Sequence, residues 1–69
     1  MRAKYFAAIL GNIIRIAYGK YSHENNVKRY CFGVTDKKII VKDLGTRKDN
    51  AFKKLIQIRE EINKFEKGE

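Results

Sequence analysis

The chain has 69 residues, 16 of them Lys or Arg and 8 Asp or Glu, for a net charge of +8. That length allows one small basic domain, residues 1–69, with a thin core, because a chain of this size buries only about 60% of the surface its unfolded form exposes. The single cysteine, Cys31, excludes an internal disulfide and a cysteine metal cluster, and no apolar run reaches the about 20 residues that span a bilayer.

The first apolar run, Tyr5 to Tyr18, is divided by Gly11-Asn12. It is as apolar as a secretory leader, but it contains Arg15 and lacks a small-residue cleavage site, so it is expected to belong to the fold. Gly11-Asn12 suits a two-residue hairpin turn. Strands over about 3–10 and 13–21 then set Leu10 opposite Ile13, Ile9 opposite Ile14, Ala7 opposite Ile16 and Tyr5 opposite Tyr18. The rival is a short helix with Phe6, Ile9, Leu10 and Ile13 on one side. β-Branched Ile13, Ile14 and Ile16 favour the strand, and Gly11 weakens the helix.

A polar loop, Lys20–Asn26, follows and holds the only histidine, His23. Beyond it, VKRYCFGV over 27–34 and a second run over 38–44 flank the turn Thr35–Lys38 and read as another hairpin. Val34 then faces Ile39, Phe32 faces Val41 and Tyr30 faces Asp43. The other side pairs Gly33 with Ile40, Cys31 with Lys42 and Arg29 with Leu44.

The last run is periodic. Ala51, Leu55, Ile58, Ile62 and Phe65 recur at steps of four and three, widened by Phe52 and Ile56, against Lys53, Gln57, Glu60, Glu61 and Lys64. This predicts an amphipathic helix over about 47–66, entered through Thr46 and Asp49 as an approximate capping box.

Together these elements predict an α+β domain. Its antiparallel sheet has three or four strands, and one C-terminal helix covers one face. The expected core is Ile9, Ile14, Ile16, Phe32, Val34, Ile39 and Val41 on Leu55, Ile58 and Ile62. The other face is expected to be open, carrying Lys4, Phe6, Arg15, Arg29, Lys38 and Lys42. Lysines there can contact phosphates, and arginines can reach base edges. Phe6 and nearby Tyr21 can stack on unpaired bases. Lys37, Lys38, Arg47 and Lys48 extend the footprint, and the helix N-terminus adds donors for a phosphate.

The charge supports this choice of partner. Residues 1–19, 20–44 and 45–69 carry +3, +3 and +2, so the excess belongs to the body of the domain and not to a tail. A polyanion is the favoured partner, DNA ahead of RNA. The apolar members of the open face, Phe6, Leu10, Ile13 and Ile40, equally suit a homodimer or another protein, as in a small phage or mobile-element inhibitor. A membrane role is disfavoured, because Glu60, Glu61 and Glu66 dilute the basic face of the helix. No cofactor or metal is expected, and the lone cysteine fits a cytoplasmic setting. No paired carboxylates, phosphate loop or nucleophile set is present, so the chain is read as non-enzymatic.

Three resemblances bear on this. Gly45-Thr46, Lys48 and Ala51 at the strand-to-helix entry, after basic strands ending in Leu44, resemble the N-terminal arm-binding domains of tyrosine integrases and their DNA-binding relatives. The echo runs from Val27 to Ile58. It implies three strands and a helix, with the sheet face in the major groove. A ββββα order with a basic face is also similar to single-strand-binding coactivator domains. Gly19-Lys20-Tyr21-Ser22-His23 is similar to the Gly-Ser-His segment of HicA-type toxin ribonucleases. That likeness implies a helix over 3–11 and an acid/base role for His23 in RNA cleavage.

Overall fold

A computed structural model describes residues 2–66, and for residues 65 and 66 the backbone only. The expected place of Phe65 on the buried stripe lies outside the described residues. The element order is β1 (Lys4–Leu10), β2 (Ile13–Gly19), α1 (Glu24–Phe32), β3 (Ile40–Gly45) and α2 (Lys48–Glu66). The three strands form one antiparallel sheet in the order β2-β1-β3.

The expected α+β architecture holds: a three-stranded antiparallel sheet and a C-terminal helix. The first hairpin has the expected register, with Leu10 opposite Ile13, Ala7 opposite Ile16 and Tyr5 opposite Tyr18. Gly11 sits at φ 63°, and no other residue type adopts positive φ among the described residues. A two-residue turn with positive φ at its first position is the type II′ form, which matches the twist of the flanking strands. Glycine takes that position without a Cβ penalty.

The expected strand over 27–34 is corrected: residues 24–32 form helix α1. Val27 and Cys31, one turn apart, supply its buried side, flanked by the buried stem of Lys28. Glu24 occupies the first turn and Arg29 the last, both favourable to the helix dipole. Gly33 ends the helix at φ 76°, and its N–H donates to the Arg29 carbonyl at 2.8 Å. That is the αL termination glycine permits. The second expected hairpin therefore does not form. Instead β3 pairs with β1, with Ile9 opposite Ile40 and Phe6 opposite Asp43, and the register slips between Tyr5 and Phe6.

The expected capping box is also displaced. The first bond into α2 runs from the Ala51 N–H to the Arg47 carbonyl, so Arg47 and not Thr46 stands at the cap.

Alternation along β1 assigns the two helices to opposite faces. Ala8, with Ala17 and Ile39, packs on Val27 and Cys31 of α1. Ala7, with Leu44, packs on Ala51 of α2. Adjacent residues of a strand point to opposite sides, so the molecule is a three-layer stack of helix, sheet and helix. Small side chains at the centre let both helices approach closely. Ile9 and Ile39 are buried as expected, but Ile16 and Val34 are exposed, and Leu44, Val27 and the alanines carry the core instead.

Candidate nucleic-acid interface

The premise of an open basic face opposite α2 is corrected by this layering. That face is the one α1 covers. The expected contact residues separate accordingly. Phe6 is half-buried there, its ring edge-on to Tyr21 at 5.7 Å. Arg15 is tied to α1, with Nη1 donating to the Cys31 carbonyl at 2.8 Å and the guanidinium 4.9 Å from the Phe32 ring centroid. Lys42 lies opposite Ala7, on the α2 side of the sheet. Lys38 joins it on the rim of a cleft of about 470 Å³ between β3 and α2, floored by Ile9, Ile58 and Ile62. Arg29 is exposed on α1, and Lys37 is exposed in the loop before β3. These residues do not share one surface.

The topology collects a different set. β1 starts, β2 and β3 end, and both helices start at the same pole of the sheet: Lys4 is opposite Gly19, and Tyr5 is opposite Gly45. Arg2 precedes β1, Lys20 follows β2, Arg47 lies between β3 and α2, and Lys48 is the first residue of α2, all exposed. Lys53 and Lys54 follow within the next turn of α2. With Lys4 this makes seven cations against Glu24, Asp43 and Asp49. The opposite pole, around Gly11-Asn12 and the end of α2, sets Asp36, Glu60 and Glu61 against Lys37, Lys38, Arg59 and Lys64. Among the described residues, the cation excess is larger at the first pole than at the second. Of the residues singled out in the sequence, Lys4, Arg47 and Lys48 meet at the cation-rich pole. Arg2, Lys20, Lys53 and Lys54 were not singled out, and their gathering depends on strand order that no local pattern encodes.

Asp43 anchors this pole. Its carboxylate accepts the Gly45 N–H at 2.8 Å and pairs with Lys4 Nζ at 3.3 Å. The Gly45 amide is the largest influence and, with the Lys4 bond and the charges of Lys4 and Lys54, holds its pKa below the ordinary carboxylate value, against a rise from burial. Both helix N-termini point donors toward this pole, and α2 is preceded there by Arg47 and opens on Lys48. Such a setting favours anions.

Cys31 is buried, and burial pushes its thiol upward against a partial offset from Arg15, which disfavours the thiolate a nucleophile needs. Tyr21 is likewise raised, first by burial and then by Tyr30 and Cys31. His23 caps the N-terminus of α1 at extended φ and ψ without a side-chain bond to the helix. Residues 4–10, helical in the toxin likeness, are strand β1. No group of three His, Cys, Asp or Glu side chains able to hold a metal occurs among the described residues. No helix of the described residues is long and apolar enough to cross a membrane. Comparison with protein-family models, with curated proteins and with solved structures finds no match.

Proposed function

We propose that the chain is a nucleic-acid-binding module, duplex DNA ahead of RNA, that works in the cytoplasm without chemistry of its own. The observation that carries the reading is the +8 charge together with the excess of seven cations over three acids at the pole where β1 and both helices begin. Arg2, Lys20, Arg47, Lys48 and Lys53 are exposed there with no acidic partner within ion-pair distance among the described residues. Lys4 is already held by Asp43 and contributes less. Long flexible cations on a rigid frame neutralise phosphates while staying hydrated, and the amides at the two helix starts add fixed partial charge.

The test is titration of a labelled duplex at several salt concentrations. Neutralising about five phosphates gives a log–log slope near −4.5, by the relation of about −0.9 per phosphate on duplex DNA. Replacing Arg47 and Lys48 together by alanine is expected to make that slope shallower by about 1.8. A flat salt response, or a slope the double variant leaves unchanged, refutes the proposal.

A further inference from the structure

β2 is an edge strand, and α2 lies over β3 and β1, leaving most of β2 bare on that side. Ile16 and Tyr18 are 36% and 58% exposed there, beside half-buried Ile14 and a Tyr5 ring 4.4 Å from that of Tyr18. An exposed, regular, apolar edge is a template for another strand. The other edge is guarded. β3 carries Lys42 and Asp43, is kinked by the register slip against β1, and has Lys54 nearby. β2 has none of these devices. Its one charge, Arg15, points to the other face, where α1 holds it.

The backbone of β2 adds a constraint. Its tight turn closes with Leu10 bonded to Ile13, and bonded and non-bonded pairs alternate along an antiparallel ladder. Arg15, Ala17 and Gly19 therefore spend their amide groups on β1. Ile14, Ile16 and Tyr18 turn theirs outward, with no strand beside them among the described residues.

We infer that β2 is the interface between two copies of this chain, paired antiparallel about a twofold axis at Ile16 into one continuous six-stranded sheet. In that register Ile16 meets Ile16 of the second copy, and Ile14 meets Tyr18. Every outward N–H and C=O of these three residues then finds a partner. On the other face Arg15 meets Ala17, so no like charges oppose. Charge supports the antiparallel sense. It sets each cation-rich pole beside the partner's pole, where Asp36, Glu60 and Glu61 nearly balance the cations, whereas a parallel arrangement would put the two cation-rich poles together. The interface leaves both cation-rich poles free.

Sedimentation equilibrium of the full chain without nucleic acid tests the pairing. The mass is expected to rise with concentration from 8.1 kDa toward twice that value. Ile16→Lys, which opposes two ammonium groups at the axis, is expected to restore the monomer with the far-ultraviolet spectrum unchanged. Ile16→Cys keeps the question open to test should Ile16→Lys fail to fold. Directly paired Cα atoms lie about 5.5 Å apart, within the range of about 4.4–6.8 Å that a disulfide spans. Ile16→Cys is thus expected to cross-link rapidly under mild oxidation. Ile13→Cys is not, because its two copies stand about 20 Å apart along the strand direction, at about 3.3 Å per residue. Unmodified protein, with Cys31 buried, is the blank. A monomer at every concentration, a dimer that Ile16→Lys leaves intact, or equal cross-linking of the two cysteines overturns the inference. So does a monomer whose Tyr18 responds to single-stranded oligonucleotide, which would give the face to unpaired bases.

Discussion

Arg15 is the residue whose role changes most once the layers are known, and it offers a sharp test. It is exposed in part, yet its guanidinium donates to the Cys31 carbonyl in the last turn of α1 and lies 4.9 Å from the Phe32 ring centroid. A hydrogen bond from a charged donor contributes about 1.5–3 kcal/mol, and the low end applies here because solvent reaches the group. The cation over the ring adds about 0.5–1 kcal/mol. The helix-terminus charge effect overlaps with the hydrogen bond and is not counted again. Arg15→Ala is therefore expected to cost about 2 kcal/mol. At about 4–8 °C per kcal/mol for a domain of this size, the melting temperature should fall by about 8–16 °C. Urea denaturation followed by far-ultraviolet circular dichroism reads this as a lower midpoint at unchanged slope. Arg15→Lys should recover only part of the loss, since an ammonium lacks the planar fork. A cycle with Phe32→Leu should give a coupling of about 0.5–1 kcal/mol. An Arg15→Ala midpoint equal to that of the unmodified protein would refute the tether. It would return Arg15 to the pool of free cations.

Leu44, only 2% exposed between Ala7 and Ala51, is the largest side chain buried under α2, so Leu44→Ala should cost about 2–4 kcal/mol in urea denaturation and unfold much of the protein at 37 °C. Asp43 has a folded pKa below its unfolded one, so its contribution is complete above the ordinary carboxylate range and disappears as pH falls through the folded value. Asp43→Asn should therefore flatten the acid limb of the stability curve, measured as urea midpoints from pH 7 downward. At pH 7 it should cost less than about 1 kcal/mol, because the Lys4 pair is exposed. Cys31 should react with a thiol reagent at a rate limited by opening of α1, so sub-denaturing urea should accelerate it strongly. Fast labelling in native buffer would contradict its burial.

Where short-range chemistry decided the structure, the sequence disclosed it. Gly11-Asn12 and three β-branched isoleucines specify the first hairpin to the residue. The 3.6 period from Ala51 to Ile62 specifies α2. The segment 27–34 misled because Val27, Arg29, Cys31 and Gly33 alternate with Lys28, Tyr30, Phe32 and Val34 in a way that suits a strand. A helical signal was present in Val27 and Cys31 at i and i+4, Glu24 one turn earlier and Gly33 at the end. Tertiary packing of that short side on Ala8 and Ala17 decides for the helix, and no local window contains those alanines. Reading 27–34 as a strand leaves the face opposite α2 open and groups its cations there, whereas α1 covers that face. The cation-rich pole follows instead from β3 pairing with β1 rather than with its predecessor in sequence. That pairing is long-range, and only three-dimensional placement brings Arg2 and Lys20 beside Arg47 and Lys48.

The most direct measurement of the proposed polyanion surface is a two-dimensional amide spectrum of the labelled protein during titration with a short duplex. The expected shifts cluster on Lys4, Lys20, Arg47, Lys48 and the first turns of both helices, and spare Gly11, Asn12, Lys37 and Lys38 at the far pole. Shifts centred on that far pole, or none at all at low salt, would contradict the proposal.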